Sequence, residues 1–264
     1  MNRDFSYRYY EHLLKEACRS RYPALMSEAE SVLRNSPKSI FFRHDVDFDL
    51  GKALQMAEIE NSQGVRATYF VMSNAPVYSL QDQGNLERIG KIHDLGHEIG
   101  LHFDSKTARD SGVQVSLLSN EIDDACRDLE AATDIPVHSF SFHRPWSGLG
   151  KELLIEGRIN AHAQELSEEY CSDSRGMFRW GHPLDKFREA PDGRPIQFLT
   201  HPIWWADESK EPEDALEEYF LEKTKNFSPM EKLRFDKEMR SHVPNVIRRG
   251  FIEVLYEKHS SLQH

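Results

Sequence analysis

Basic charge is what this chain has too little of. Against 44 acidic residues stand 33 lysines and arginines, a formal net charge of -11. No dominant basic surface exists to release counterions, which argues against a nucleic-acid partner. A few local arginines can still hold a small anionic ligand. Cysteine is scarce too. Cys18, Cys126 and Cys171 have no CxxC spacing and cannot all pair, so they fit a reducing compartment and the role of small buried hydrophobes. The first six residues lack an apolar signal-peptide core, and no apolar run approaches membrane-spanning length. A soluble, cytoplasmic protein without membrane insertion is expected. Repeats, linkers and low-complexity tracts are also missing, so one domain over residues 1–264 is the economical reading.

One further absence is local. A dinucleotide-binding sheet needs a glycine-rich loop after its first strand. Here the apolar run Ser39-Ile40-Phe41-Phe42 instead drives into Arg43-His44-Asp45-Val46-Asp47. The run has the length and residue types of a buried strand. Buried carboxylates are costly unless paired or bound to a metal. On an extended chain Asp45 and Asp47 point to the same side, which suits a shared cation or a ligand beside a general base. The plainer alternative is a helix N-cap with a solvated neighbour.

Polar strand ends recur downstream. Residues 66–72 and 97–104 read as strands, the latter ending His102-Phe103-Asp104. Residues 137–142 lead into His143-Arg144-Pro145, residues 170–173 end on Asp173, and residues 196–200 lead to His201-Pro202. Helical spacing fills the gaps, as in Leu50, Ala53, Leu54 and Ala57, or Leu118, Ile122, Ala125 and Leu129. Residues 4–34 read as two helical pieces, with Pro23 opening the second. Residues 207–240 read as a charged, solvated helix or two, and Val243 to Leu255 as an apolar helical stripe. Alternating strands and helices mean a mainly parallel α/β sheet of about six strands, open or closed into a barrel. In a parallel barrel the strand ends converge on one face.

These motifs together resemble the NodB-type polysaccharide deacetylases. More narrowly, they resemble the branch with an HDVD first motif, found among WbmS-like proteins of surface-polysaccharide and O-antigen gene clusters. The landmarks are RHDVD at 43–47, RATYF at 66–70, GHEIGLHFD at 96–104, SFHRP at 141–145, SDSRG at 172–176 and THPIWW at 200–205. They span about residues 39–205. The resemblance implies a distorted (β/α) barrel with fewer than eight strands, here with extra N- and C-terminal helices. It implies a divalent metal, zinc by preference. By position Asp45 is the base, Asp47 a metal ligand and His102 the first histidine of the family's HxxxH pair. Lys106 stands at the second histidine, and a charged lysine is no ordinary ligand. His143 and Asp104 are the foremost substitutes, with His201 third. Arg144 matches the arginine that holds the base, and His201 the late acid. Asp104, Asp173, Arg175 and Trp180 are expected to meet the substrate, the tryptophan as a stacking face.

The implied activity is removal of an acetyl or formyl group from an amino sugar. Without a leader, a nucleotide- or lipid-linked precursor of a surface polysaccharide, such as a lipopolysaccharide O-antigen, is the expected substrate. Two alternatives stand beside it. One is a non-sugar C–N hydrolase of the allantoinase-like kind, and the other a non-catalytic sugar-binding protein, which Lys106 keeps open.

Overall fold

The computed structural model describes residues 4–35, 38–104, 115–143, 145, 151 and 153–243, with side chains omitted at 115–117. Lys106, Arg144 and the apolar stripe beyond Val243 lie outside the described residues.

Eight strands share one sheet: β1 (Tyr22–Ala24), β2 (Ser39–Val46), β3 (Thr68–Val71), β4 (Glu98–Asp104), β5 (Ser139–His143), β6 (Ile159–Asn160), β7 (Glu169–Ser172) and β8 (Ile196–Thr200). Seven of them run in the order β6-β5-β4-β3-β2-β8-β7, while β1 pairs beside the start of β2. Every pairing is parallel. The result is the expected distorted (β/α) barrel with fewer than eight strands around its path. No ladder joins the two end strands, β6 and β7, among the described residues; the Gln197 side chain on β8 donates to the carbonyls of Ala161, just after β6, and Leu166, both at 2.9 Å.

Helices α1 (Tyr7–Cys18), α2 (Ala29–Asn35), α3 (Leu50–Ser62), α4 (Gln83–Asp94), α5 (Val115–Thr133), α6 (Pro183–Glu189), α7 (Pro212–Lys223) and α8 (Pro229–His242), with short 3₁₀ turns at Met26–Glu28, Gln164–Leu166 and Pro202–Trp204, complete the described elements. Pro23 does not open a helix. It sits in β1, where pairing on one edge leaves no need for its missing N–H. Strands β1 and β6 went unpredicted because two or three residues carry no readable period. No described helix is long and apolar enough to cross a membrane.

The strands alternate between two very different faces. Outward, Ile40, Phe42, Val46, Ile99, Leu101, Phe140, Phe142 and Phe198 join one apolar core with the helices. Each such side chain contributes about 1.5–3 kcal/mol on burial. Inward, the barrel is largely polar: Arg43, Asp45, Thr68, Glu98, His102, Ser139, Ser141 and Gln197 are all buried. Beneath them Phe41 and Phe70 pack with Ala24, Met26, Ala29 and Val32 to floor the barrel. Glu98 ties this layer together, accepting from Ser139 Oγ at 2.6 Å, Thr68 Oγ1 at 3.1 Å and Ser27 N at 2.8 Å.

Gly100 on β4 has no room for a side chain. A Cβ there would lie 2.6 Å from the Phe70 ring and 2.8 Å from Ser139 Oγ. Gly100→Ala is therefore expected to lower unfolding stability by about 1–3 kcal/mol in a urea titration, against near-neutrality if the ring simply moved aside.

Candidate functional site

The opening strand builds the site on its inward face. Arg43 and Asp45, two residues apart on β2, form a bidentate pair: Nε to Oδ1 at 2.9 Å and Nη2 to Oδ2 at 2.8 Å. Arg43 is 1 % exposed. Its remaining donors meet Gln197 Oε1 at 2.9 Å and His162 Nε2 at 3.0 Å. Burial alone would raise the Asp45 carboxyl, but the Arg43 charge and then His102 overcome it and bring it down to about 2. The sequence assigned the base-holding role to Arg144. Among the described residues it is Arg43 that grips Asp45.

The intervening residue, His44, points the other way. It meets Thr200 Oγ1 at 2.6 Å and Glu60 Oε1 at 2.7 Å. Glu60 also accepts from Tyr10 at 2.5 Å and Tyr69 at 2.7 Å. This buried network locks α1 and α3 to the sheet and engages both ring nitrogens of His44.

Asp47 ends the strand where the neighbouring strand ends converge. Its Oδ1 lies 3.1 Å from both His102 Nε2 and His143 Nδ1, and its Oδ2 lies 4.0 Å from His201 Nε2. Both 3.1 Å approaches are buried ion-pair contacts. The His102 ring is held from its other side. Its Nδ1 meets Ser141 Oγ at 2.7 Å, and that hydroxyl donates to Asp45 Oδ1 at 3.4 Å. With the ring proton on Nδ1, Nε2 is the nitrogen turned toward Asp47, and a cation between the two would satisfy both. Burial opposes ionisation of Asp47, yet the His143 charge and then His102 hold its carboxyl well below the usual range.

A fourth imidazole enters from elsewhere. His242, the last residue of α8, is 3 % exposed and stacks on His143 with centroids 4.2 Å apart and planes at 11°. Asp47, His143 and His242 can each offer a ligand atom within 4.8 Å of the other two. Sequence reading missed His242 because it falls between the charged stretch at 207–240 and the apolar stripe that begins at Val243. The signal was the spacing Phe235, Met239, His242, one face of α8 and buried throughout.

His201 follows β8 and is set by Asp173. The carboxylate takes His201 Nδ1 at 2.6 Å, the His201 backbone N–H at 2.9 and 3.0 Å, and the Trp205 indole at 2.8 Å. Asp173 is 0 % exposed with both oxygens engaged, so it cannot meet substrate as expected from sequence; it positions His201. Burial disfavours the imidazolium, but Asp173 outweighs it and lifts His201 to about 9. Folding stability from this pair is therefore complete below the ordinary histidine value and lost as pH rises through about 9. If His201 acts as an acid, Asp173→Asn should pull the alkaline limb of kcat/KM down from near pH 9 and lower activity by about 10–100-fold. A limb that does not move would detach the pair from catalysis.

The remaining expected residues sit on β4 and on the segment that follows β7. Asp104 ends β4, in register with His143. Arg175 is exposed, and both it and Trp180 hold left-handed backbone, with φ of 63° and 59°. Trp180 is 57 % exposed, 5.2 Å from the Tyr170 ring, with the Arg179 guanidinium 4.8 Å over its indole. Trp204 and Trp205 are core aromatics.

No protein-family model matches the sequence, and no curated protein matches it. Among solved structures, the fold is similar to a Streptococcus mutans CE4 esterase (15% identity, TM-score 0.44, covering 71% of this chain and 82% of that one). It is similar to the peptidoglycan deacetylase PdaC of Bacillus subtilis (18%, TM-score 0.40, 77% and 96%). It is also similar to the Streptococcus pyogenes deacetylase PplD (13%, TM-score 0.39), where the match covers 52% of this chain and 63% of that one, under two thirds of its length.

Proposed function

We propose that this chain is a metal-dependent hydrolase that removes an acyl group from an amino sugar. The carrying observation is Asp47 Oδ1, buried and faced at 3.1 Å by an imidazole nitrogen from each of His102 and His143. Carboxylate and imidazole donors are the set that zinc takes. Asp47, His102 and His143 would hold the ion, with Ser141 fixing the His102 ring as metal-bound histidines require. A divalent ion there supplies Lewis acidity and a water of lowered pKa.

The protein's own groups do the rest. Asp45, ionised and held rigid by Arg43, accepts the proton of the attacking water. His201, charged through Asp173, donates from Nε2 to the leaving amine and steadies the negative charge growing on the acyl oxygen. The exposed Trp180 offers a flat face to a sugar ring. Left-handed backbone at a non-glycine residue costs about 1–2 kcal/mol, a cost consistent with presenting that ring for a purpose. Arg179 beside it, and the exposed Arg175 on the same segment, suit the phosphate of a nucleotide- or lipid-linked amino sugar, the kind of precursor used for surface polysaccharides such as O-antigen.

Acetate or formate release from a panel of N-acylated nucleotide sugars, run beside ureides, tests this reading. Release from a sugar is expected. Release from ureides alone would favour the non-sugar C–N hydrolase.

A further inference from the structure

Helix α8 is strongly polar and buries one narrow stripe: Phe235, Asp236, Met239 and His242. Phe235 packs on Tyr219, Phe220 and Phe227, with centroids 5.9–6.4 Å away. Tyr219 in turn donates to the carbonyls of Phe48 and Val77 at 2.9 and 3.2 Å, pinning the α7–α8 pair to the loop after Asp47. At the far end of the stripe His242 passes the apolar contacts and enters the site, edge-on to Phe48 at 5.2 Å and face-to-face with His143. A core histidine would suffice to fill this space, but so would any apolar ring. Two parallel imidazoles packed beside a buried carboxylate are a donor set, and their ligand atoms fall within reach of one cation.

We propose that His242 is a ligand of the same divalent cation as Asp47 and His143, so that cation binding and docking of α8 are one event. The inference rests on the metal-dependent reading above and adds a ligand from outside the barrel. With so little apolar surface of its own, α8 gains from a bond at its C-terminal end, and the site gains a wall that excludes water. The metal then reports on the helix, and the helix on the metal.

The test uses the full chain, stripped with a chelator and titrated with Co²⁺ while absorption is recorded. In His242→Cys, a thiolate on the ion produces a near-ultraviolet charge-transfer band. Wild type, whose own cysteines are Cys18, Cys126 and Cys171, is expected to lack it. His242→Ala should bind Co²⁺ at least about 10–100-fold more weakly. Zn²⁺ should slow hydrogen exchange over residues 229–242 in wild type and not in His242→Ala. Should His242→Ala fail to fold, the cysteine spectrum decides alone. No band in His242→Cys, with wild-type affinity in His242→Ala, overturns the ligand while leaving the metal reading intact. If wild type itself binds no Co²⁺, both fall.

Discussion

Asp47→Asn is expected to lower acyl release by about 10³-fold or more and to remove stoichiometric divalent metal. The substitution keeps shape and volume while deleting the charge at the point where β2, β4, β5 and β8 converge. Metal-supplied stabilisation of transition-state charge amounts to several kcal/mol, and each 1.36 kcal/mol is a factor of ten. The asparagine also loses the anion on which His102 and His143 close at 3.1 Å. Folding should survive, because the polar interior below is held by Arg43, Glu98 and Gln197 rather than by Asp47. Metal content and turnover falling together, in a protein that still folds, is the expected pattern. Loss of turnover at full metal content would assign Asp47 another role.

The second large effect is on stability. Arg43→Met should cost about 3–5 kcal/mol in urea unfolding, because it strands the Asp45 carboxylate in a buried site with its bidentate partner gone. The same change unseats Gln197 and His162, both held by the guanidinium. Removing both charges, as in Arg43→Met with Asp45→Leu, should recover much of the loss, since the penalty belongs to the unpaired ion rather than to the absence of a pair. A double variant no better than the single one would show that Arg43 acts mainly through Gln197 and the 161–166 segment that Gln197 holds.

The same pair shows where sequence reading worked and where it stopped. The strand at 39–47 was legible because an apolar run gave way abruptly to acids, and the parallel sheet because strands and helices alternated. Convergence of Asp45, Asp47, His102, His143 and His201 followed from parallel strand ends alone. The partner of Asp45 was assigned to Arg144, although period-two geometry already puts Arg43 on the same face, two residues away. His242 was invisible to strand-end logic because a helix tip delivers it, and only packing against α7 and Phe48 decides where that tip goes. Asp173 read as a polar strand end, but no sequence pattern says that His201 and Trp205 will occupy both its oxygens. Strand ends are written locally; partners across the barrel are set by tertiary structure.

The central claim is that the strand ends hold a cation that the chemistry needs. The most direct measurement is the elemental metal content of purified wild-type protein, taken beside Asp47→Asn. One divalent ion per chain in wild type and none in the variant is the expected result. No stoichiometric divalent ion in wild type, with undiminished acyl release, would contradict it.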